Sequence, residues 1–204
     1  MPQEPLLFLG IVALLTITPG ADMAMVARSV FAGGRREAFA TTLGISAGCL
    51  AWAAASALGV AAVLAASQAA YDALRLAGAA YLVWLGAQSL LAARRDRYAP
   101  PAAAPPRSSA FRQGLLTNLF NPKIAVFYST FLPQFIGPGD PALAISMLMA
   151  GVHIALGIAW LSVYAWLLAR AVDAFRGSRL RRALDALTGT VLVALGLRLA
   201  LERR

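Results

Sequence analysis

Two short polar motifs interrupt apolar stretches of this 204-residue chain: Thr18-Pro19-Gly20-Ala21-Asp22 and Asn118-Leu119-Phe120-Asn121-Pro122-Lys123. Each joins a helix-capping side chain, a proline without an N–H, and an ionisable group. Thr18 and Asn121 suit the N-cap of a new half-helix, and Pro19 and Pro122 its first position, with Gly20 beside the first break. The free N–H groups of two such N-termini carry partial positive charge, a natural seat for a carboxylate. Asp22 lies four residues past Thr18, on a similar helix face, and Lys123 directly follows Pro122. The set complements a zwitterion: Asp22 for an ammonium group or a proton, Lys123 and the N–H groups for a carboxylate. The other reading of the two charges is a structural Asp22–Lys123 ion pair that touches no substrate.

Further polar positions extend this set. Asn118, one turn before Asn121, either lines the same cavity or mends a broken helix. His153, the sole histidine, either relays protons or packs against a backbone carbonyl. Gln134 follows Pro133 and either joins the pathway or ends its span. Phe127, Tyr128, Phe131 and Phe135 read as packing or interface aromatics.

These groups need a particular setting. A lone charge inside a membrane span costs about 2.5–3.5 kcal/mol or more, so it must face protein or a water-lined interior. The chain is built for lipid, with 60% hydrophobic and 13% charged residues and a mean hydropathy of +0.69. Apolar segments long enough to cross, roughly 20 residues each, stand at about 6–27, 40–66, 70–92, 113–135, 142–169 and 183–201. The first has no basic leader or small-residue cleavage site and reads as a retained span.

The net charge of +9 is distributed by loop. Thirteen of the 18 Lys and Arg residues follow the first, third and fifth segments, between Arg28 and Arg36, Arg94 and Arg112, and Arg170 and Arg182. The positive-inside rule places those loops in the cytoplasm and both termini outside, although Arg203 and Arg204 run against it. Cations spread in this way argue against a nucleic-acid partner. Pro19 is nine residues before Arg28, and Asn121 nine after Arg112. At 1.5 Å per residue both breaks fall roughly 13 Å from the cytoplasmic edge, near mid-membrane.

A Pro/Ala-rich segment, 96–112, reads as a cytoplasmic linker between two three-helix sets, 1–95 and 113–204. The sets echo each other. Leu14-Leu15-Thr16 precedes the first break and Leu115-Leu116-Thr117 the second, Gly48 has a counterpart in Gly151, and Leu82–Gly86 matches Leu192–Gly196. Three spans is an odd number, so the second set enters from the opposite side: an inverted repeat, as in many secondary transporters. Gly44 and Gly48 at four-residue spacing allow close helix packing, and also pairing of two copies.

Enzyme signatures are missing: no HExxH, no Gly-x-Ser-x-Gly, no phosphate-cradling loop. One cysteine, Cys49, and one histidine give no metal cluster, and Cys49 reads as a small packing residue.

The motifs resemble those of the LysE/RhtB family of bacterial amino-acid exporters, the threonine and homoserine efflux branch in particular. The resemblance rests on Thr18–Asp22, on Asn121-Pro122-Lys123 with Phe127 and Leu132-Pro133-Gln134-Phe135, and on Tyr81–Gly86. It implies a multi-pass permease of the bacterial inner membrane that exports amino acids by proton antiport, with Pro19, Asp22, Asn121, Pro122 and Lys123 as central motif residues. Ala21, where the family commonly has proline, and Ala38, where it has glycine, depart from the pattern without removing a polar group.

The expectation is an all-α membrane protein of six transmembrane helices, a 3+3 inverted-topology repeat with broken first and fourth helices. It exports an amino acid or related small zwitterion in exchange for protons. Its partners are substrate, protons and lipid, with a homodimer left open through the glycine faces, and it needs no cofactor. Two other classes stand beside it. A metal or inorganic-ion exporter would want a thiol, histidine or acidic cluster. A non-transporting structural or signalling component would tolerate loss of both Asp22 and Lys123.

Overall fold

The computed structural model describes residues 4–59, 67–94, 107–137, 139–174 and 178–201, and every regular element among them is helical. Helix α1 (Pro5–Ile17) has proline in its first turn and ends before Thr18-Pro19, where the missing N–H stops the ladder. Helix α2 (Ala21–Ala57) follows, but it is not one rod. Gly34 sits at φ 75°, ψ −159°, a conformation that only glycine adopts without strain. The chain doubles back there. Ser29 Oγ and Thr41 Oγ1 are 2.7 Å apart, whereas twelve residues of straight helix would part them by roughly 18 Å. The arms 21–33 and 35–57 pack on each other, with Val26, Ala27 and Val30 sharing an apolar core with Ala38 and Ile45.

The remaining elements are α3 (Gln68–Arg94), α4 (Arg107–Leu119), the short α5 (Pro122–Val126), a π turn (Phe127–Phe131), a 3-10 turn (Leu132–Phe135), α6 (Ala142–Ala174) and α7 (Ser178–Leu201). The first and fourth apolar segments are therefore both broken, after Ile17 and after Leu119. Helix α4 starts at Arg107, so the end of the segment read as linker is helical; 95–106 lie outside the described residues. Among the described residues, three stretches are long and apolar enough to cross a membrane, Ala21–Ala57, Gln68–Leu91 and Ala142–Ala171, with Pro5–Ile17 and Ala186–Leu201 shorter. The bend at Gly34 means that the first of these is a hairpin of two shorter helices.

Lipid tails are as apolar as the helices, so helix pairs are held by close approach rather than by the hydrophobic effect. Glycine supplies that approach at two seams. A Cβ on Gly44 would strike the Phe111 carbonyl of α4 and lie 2.8 Å from Leu115 N, and one on Gly114 would strike the Thr41 carbonyl in return. Along α3 and α7, Cβ atoms on Gly86 and Gly189 would lie 2.7 and 2.8 Å from each other's carbonyl oxygens. These glycine faces are thus occupied within one chain. Gly151, the counterpart of Gly48 by sequence, meets nothing within 4 Å and packs against no backbone.

Arg28 ties the same elements together by polar contacts. From the first arm of α2 it donates to Ser89 Oγ (3.0 Å) and Gln88 Oε1 (3.1 Å) on α3, and to Gln113 Oε1 (2.7 Å) on α4. Sequence reading treated Arg28 only as a marker of the cytoplasmic edge.

The seam makes a prediction. Gly44→Val forces α2 and α4 apart and should destabilise the protein by about 1–3 kcal/mol. Gly151→Val should stay within about 0.5 kcal/mol. Denaturant midpoints in detergent, read by circular dichroism, compare the two.

A candidate substrate pocket between the helix breaks

The first break differs in detail from the sequence expectation. Thr18 is the C-cap of α1: its N–H and Oγ1 both bond back to the Leu14 carbonyl, at 3.0 and 2.6 Å. It does not cap α2. Gly20 stands at that N-cap without a side-chain bond, and Ala21 rather than Pro19 begins the helix. A threonine hydroxyl can serve the turn behind it as readily as the turn ahead, and here it serves the one behind. The second break matches expectation. Asn121 caps α5, its Oδ1 accepting from Lys123 N at 3.1 Å, with Pro122 at the first position.

Lys123 crosses between the two breaks. Its Nζ donates to the Leu15 carbonyl (3.2 Å) and the Thr18 carbonyl (3.0 Å) at the end of α1. These are acceptors that the broken helix leaves without partners. Lys123 makes no ion pair with Asp22 within 4.0 Å. Lys123 therefore links the two motifs as a cation on helix-end carbonyls, not through a carboxylate–ammonium bridge.

Asp22 is held by the other half of the chain. Its Oδ2 accepts from Asn118 Nδ2 at 3.1 Å, and the same amide nitrogen lies 3.6 Å from Cys49 Sγ. Asn118 can come so close to α2 because Gly48 has no side chain; a Cβ there would be 2.5 Å from Asn118 Oδ1. Gly48 is therefore part of the site and not packing alone. A little further on, Tyr128 Oη and His153 Nδ1 are 3.1 Å apart, both buried. The histidine's partner is a hydroxyl and not a backbone carbonyl.

Asp22, Cys49, Lys123 and His153 line one cavity of about 40 Å³, together with Thr18 and Gly20. That is room for a few waters. An amino acid would need the surrounding helices to part. Leu15, Thr18 and Lys123 also line a wider cleft of about 440 Å³, which Pro122, Phe127 and Phe131 complete on the far side of the α1 end. Gln134 is not brought in: it is exposed, and its Nε2 donates to the Thr130 carbonyl one turn back at 2.7 Å.

Unpaired buried atoms stand on the cavity lining at Asp22 and on the helix break beside it at Asn118 and Asn121. Asp22 Oδ1 and Asn118 Oδ1 are buried acceptors without a partner, and Asn121 Nδ2 is a buried donor without one. Buried polar atoms are nearly always paired, so such a set is a place for water, a proton or a ligand. Two acceptors suit an ammonium group and one donor suits a carboxylate. Thr16, whose Oγ1 is also buried and unpaired, joins the lining. Sequence reading missed Thr16, Cys49 and Tyr128. For Tyr128 the only signal was a hydroxyl in an aromatic run, and for Cys49 its place beside Gly48.

Known proteins resemble this sequence along nearly the whole chain. The family model described as LysE type translocator matches residues 13–203. A homoserine/homoserine lactone efflux protein of Salmonella typhimurium is 30% identical over 93% of this chain and 92% of its own. A threonine efflux protein of Escherichia coli K12 is 29% identical over 95% and 94%. The uncharacterized membrane protein YrhP of Bacillus subtilis is 27% identical over 97% and 98%. No solved structure matches the chain. With a family match of this extent, the chain belongs to the LysE type translocators and is an exporter of the bacterial inner membrane, not an enzyme.

Proposed function

We propose that this exporter carries an amino acid or related small zwitterion out of the cytoplasm in exchange for protons. The observation that carries the reading is the group of buried unpaired atoms about the helix breaks: Asp22 Oδ1 on the cavity lining, with Asn118 Oδ1 and Asn121 Nδ2 on the neighbouring break. An α-amino acid presents the complementary donors and acceptor a short distance apart. The names of the homoserine and threonine efflux relatives support the same substrate class. Among the described residues no group of three or more His, Cys, Asp or Glu side chains could hold a metal, which favours a zwitterion over a metal ion.

In this reading α1 to α3 form one repeat and α4 to α7 the other, and the six spans count each broken segment once. Two interactions across the halves support the pairing: Asn118 on Asp22, and Lys123 on the α1 carbonyls. Asp22 takes the ammonium group or a proton. Asn121, with the N-terminus of α5, takes the carboxylate. Lys123 holds the α1 end and swings to the substrate when the cavity opens, while Pro19, Gly20 and Pro122 shape the breaks. His153 with Tyr128 serves the proton. Gln134 stays outside the binding set. Alternating access then rocks one repeat against the other around a site that does not move.

Three outcomes test this. Everted vesicles made acid inside should accumulate radiolabelled substrate when screened over the twenty amino acids, and a protonophore should abolish the accumulation. Accumulation of none of them by folded protein removes the substrate class. Asp22→Asn and Lys123→Met each remove a charge-assisted bond and should lower substrate affinity about tenfold to a hundredfold, read as half-saturation of uptake at equal protein level. His153→Gln should keep amino-acid counterflow at equal pH yet lose proton-driven accumulation; loss of both would make the histidine structural.

A further inference from the structure

A second, much larger depression lies on the same helices. It is a groove of about 1160 Å³ along the second arm of α2, between the start of α4 and the end of α6. Arg35 and Arg36 stand at its mouth beside the Gly34 bend, and Arg112 lines it from α4. All three are exposed, and among the described residues none has a carboxylate within 4.0 Å. The walls are apolar, with Phe39, Leu43 and Trp166 exposed by 50%, 40% and 37%. By the distribution of basic loops the mouth faces the cytoplasm.

Two stripes run from this groove to the Asp22 cavity. On α2, Ala38 and Thr42 line the groove, and Ile45 and Cys49, spaced on the same face, line the cavity. On α6, Ala165 lines the groove and His153 and Gly157 the cavity. Leu161 is the residue shared by both linings, and it is buried in the core between α2 and α6. Leu161 is thus the side chain at which the cationic groove meets the cavity that holds Asp22 and Lys123.

We propose that the groove is the cytoplasmic vestibule of the transport site and that Leu161 is its gate. This rests on the export reading above and extends it to the route of entry. Unpaired arginines on low-dielectric walls concentrate anionic groups, so the rim holds the substrate's carboxylate. Asp22 beyond the gate draws the ammonium group, and the zwitterion enters ammonium first. The apolar walls accommodate its side chain. On the other flank, Leu15, Thr18 and Lys123 form the corresponding partition to the 440 Å³ cleft.

Cys49, the single cysteine, lines the cavity and is a built-in reporter that needs no transport. Methanethiosulfonate reagents that carry a sulfonate or a trimethylammonium group are applied to everted and right-side-out vesicles of the full chain, and the mass shift of the protein is followed. Leu161→Ala should raise the labelling rate of Cys49 at least tenfold in everted vesicles only, with the anionic reagent faster than the cationic one. Combining it with Arg35→Gln, Arg36→Gln and Arg112→Gln should remove that charge preference. Leu168→Ala, in the same core but on neither lining, controls for loosened packing and should leave labelling unchanged. Leu161→Val replaces Leu161→Ala if the alanine variant does not fold. Unchanged labelling in the Leu161 variants, as expected if lipid or a second copy seals the groove, overturns the proposal. So does equal labelling in Leu168→Ala, or a gain confined to right-side-out vesicles. Should vesicles transport no amino acid while labelling behaves as stated, the substrate reading fails and the route stands.

Discussion

A carbonyl at the end of a helix inside a bilayer has no water to turn to, and the rest of this site follows from how that need is met. Helix α1 stops within an apolar segment because Pro19 cannot continue its ladder. Thr18 takes up the Leu14 carbonyl. The Leu15 and Thr18 carbonyls are met by Lys123 from the other half of the chain. One ammonium group therefore mends a break, joins two halves and closes one wall of a cavity. A cation at this depth would be costly without such acceptors, and the acceptors would be costly without the cation.

The same economy governs the carboxylate. Asp22 receives one hydrogen bond from Asn118 and keeps its other oxygen free, while Asn118 and Asn121 each keep one polar atom unpaired. In a low-dielectric interior a half-satisfied network is unfavourable. It is a poor way to stabilise a fold and a good way to hold a polar guest. Gly48 lets Asn118 reach α2 at all, so a residue type that normally speaks for packing also permits the Asn118–Asp22 contact.

Rigid and yielding parts are physically distinct. The seams between α2 and α4 and between α3 and α7 bring backbone against backbone at glycines, where any displacement loses many contacts at once. Around the cavity the barriers are thin: Leu161 on one flank, and Leu15, Thr18 and Lys123 on the other.

Much of this was legible in the residues. Proline in an apolar run must break a helix, and asparagine before proline caps the next one, because backbone geometry alone demands it; the helix ends at Ile17 and Leu119 and the cap at Asn121 follow. Charge placement and apolar lengths likewise mark a membrane protein, since desolvation costs depend on composition and not on the fold. What local chemistry leaves open, tertiary contact decided. Thr18 could serve the turn before or after it and chose the one before. Gly34 could be an ordinary loop residue and instead folds α2 into a hairpin. Lys123 needed an acceptor and found carbonyls rather than Asp22, and His153 found the Tyr128 hydroxyl. Each of these partners lies far away in sequence or has several local equivalents, and only packing selects among interactions of similar energy.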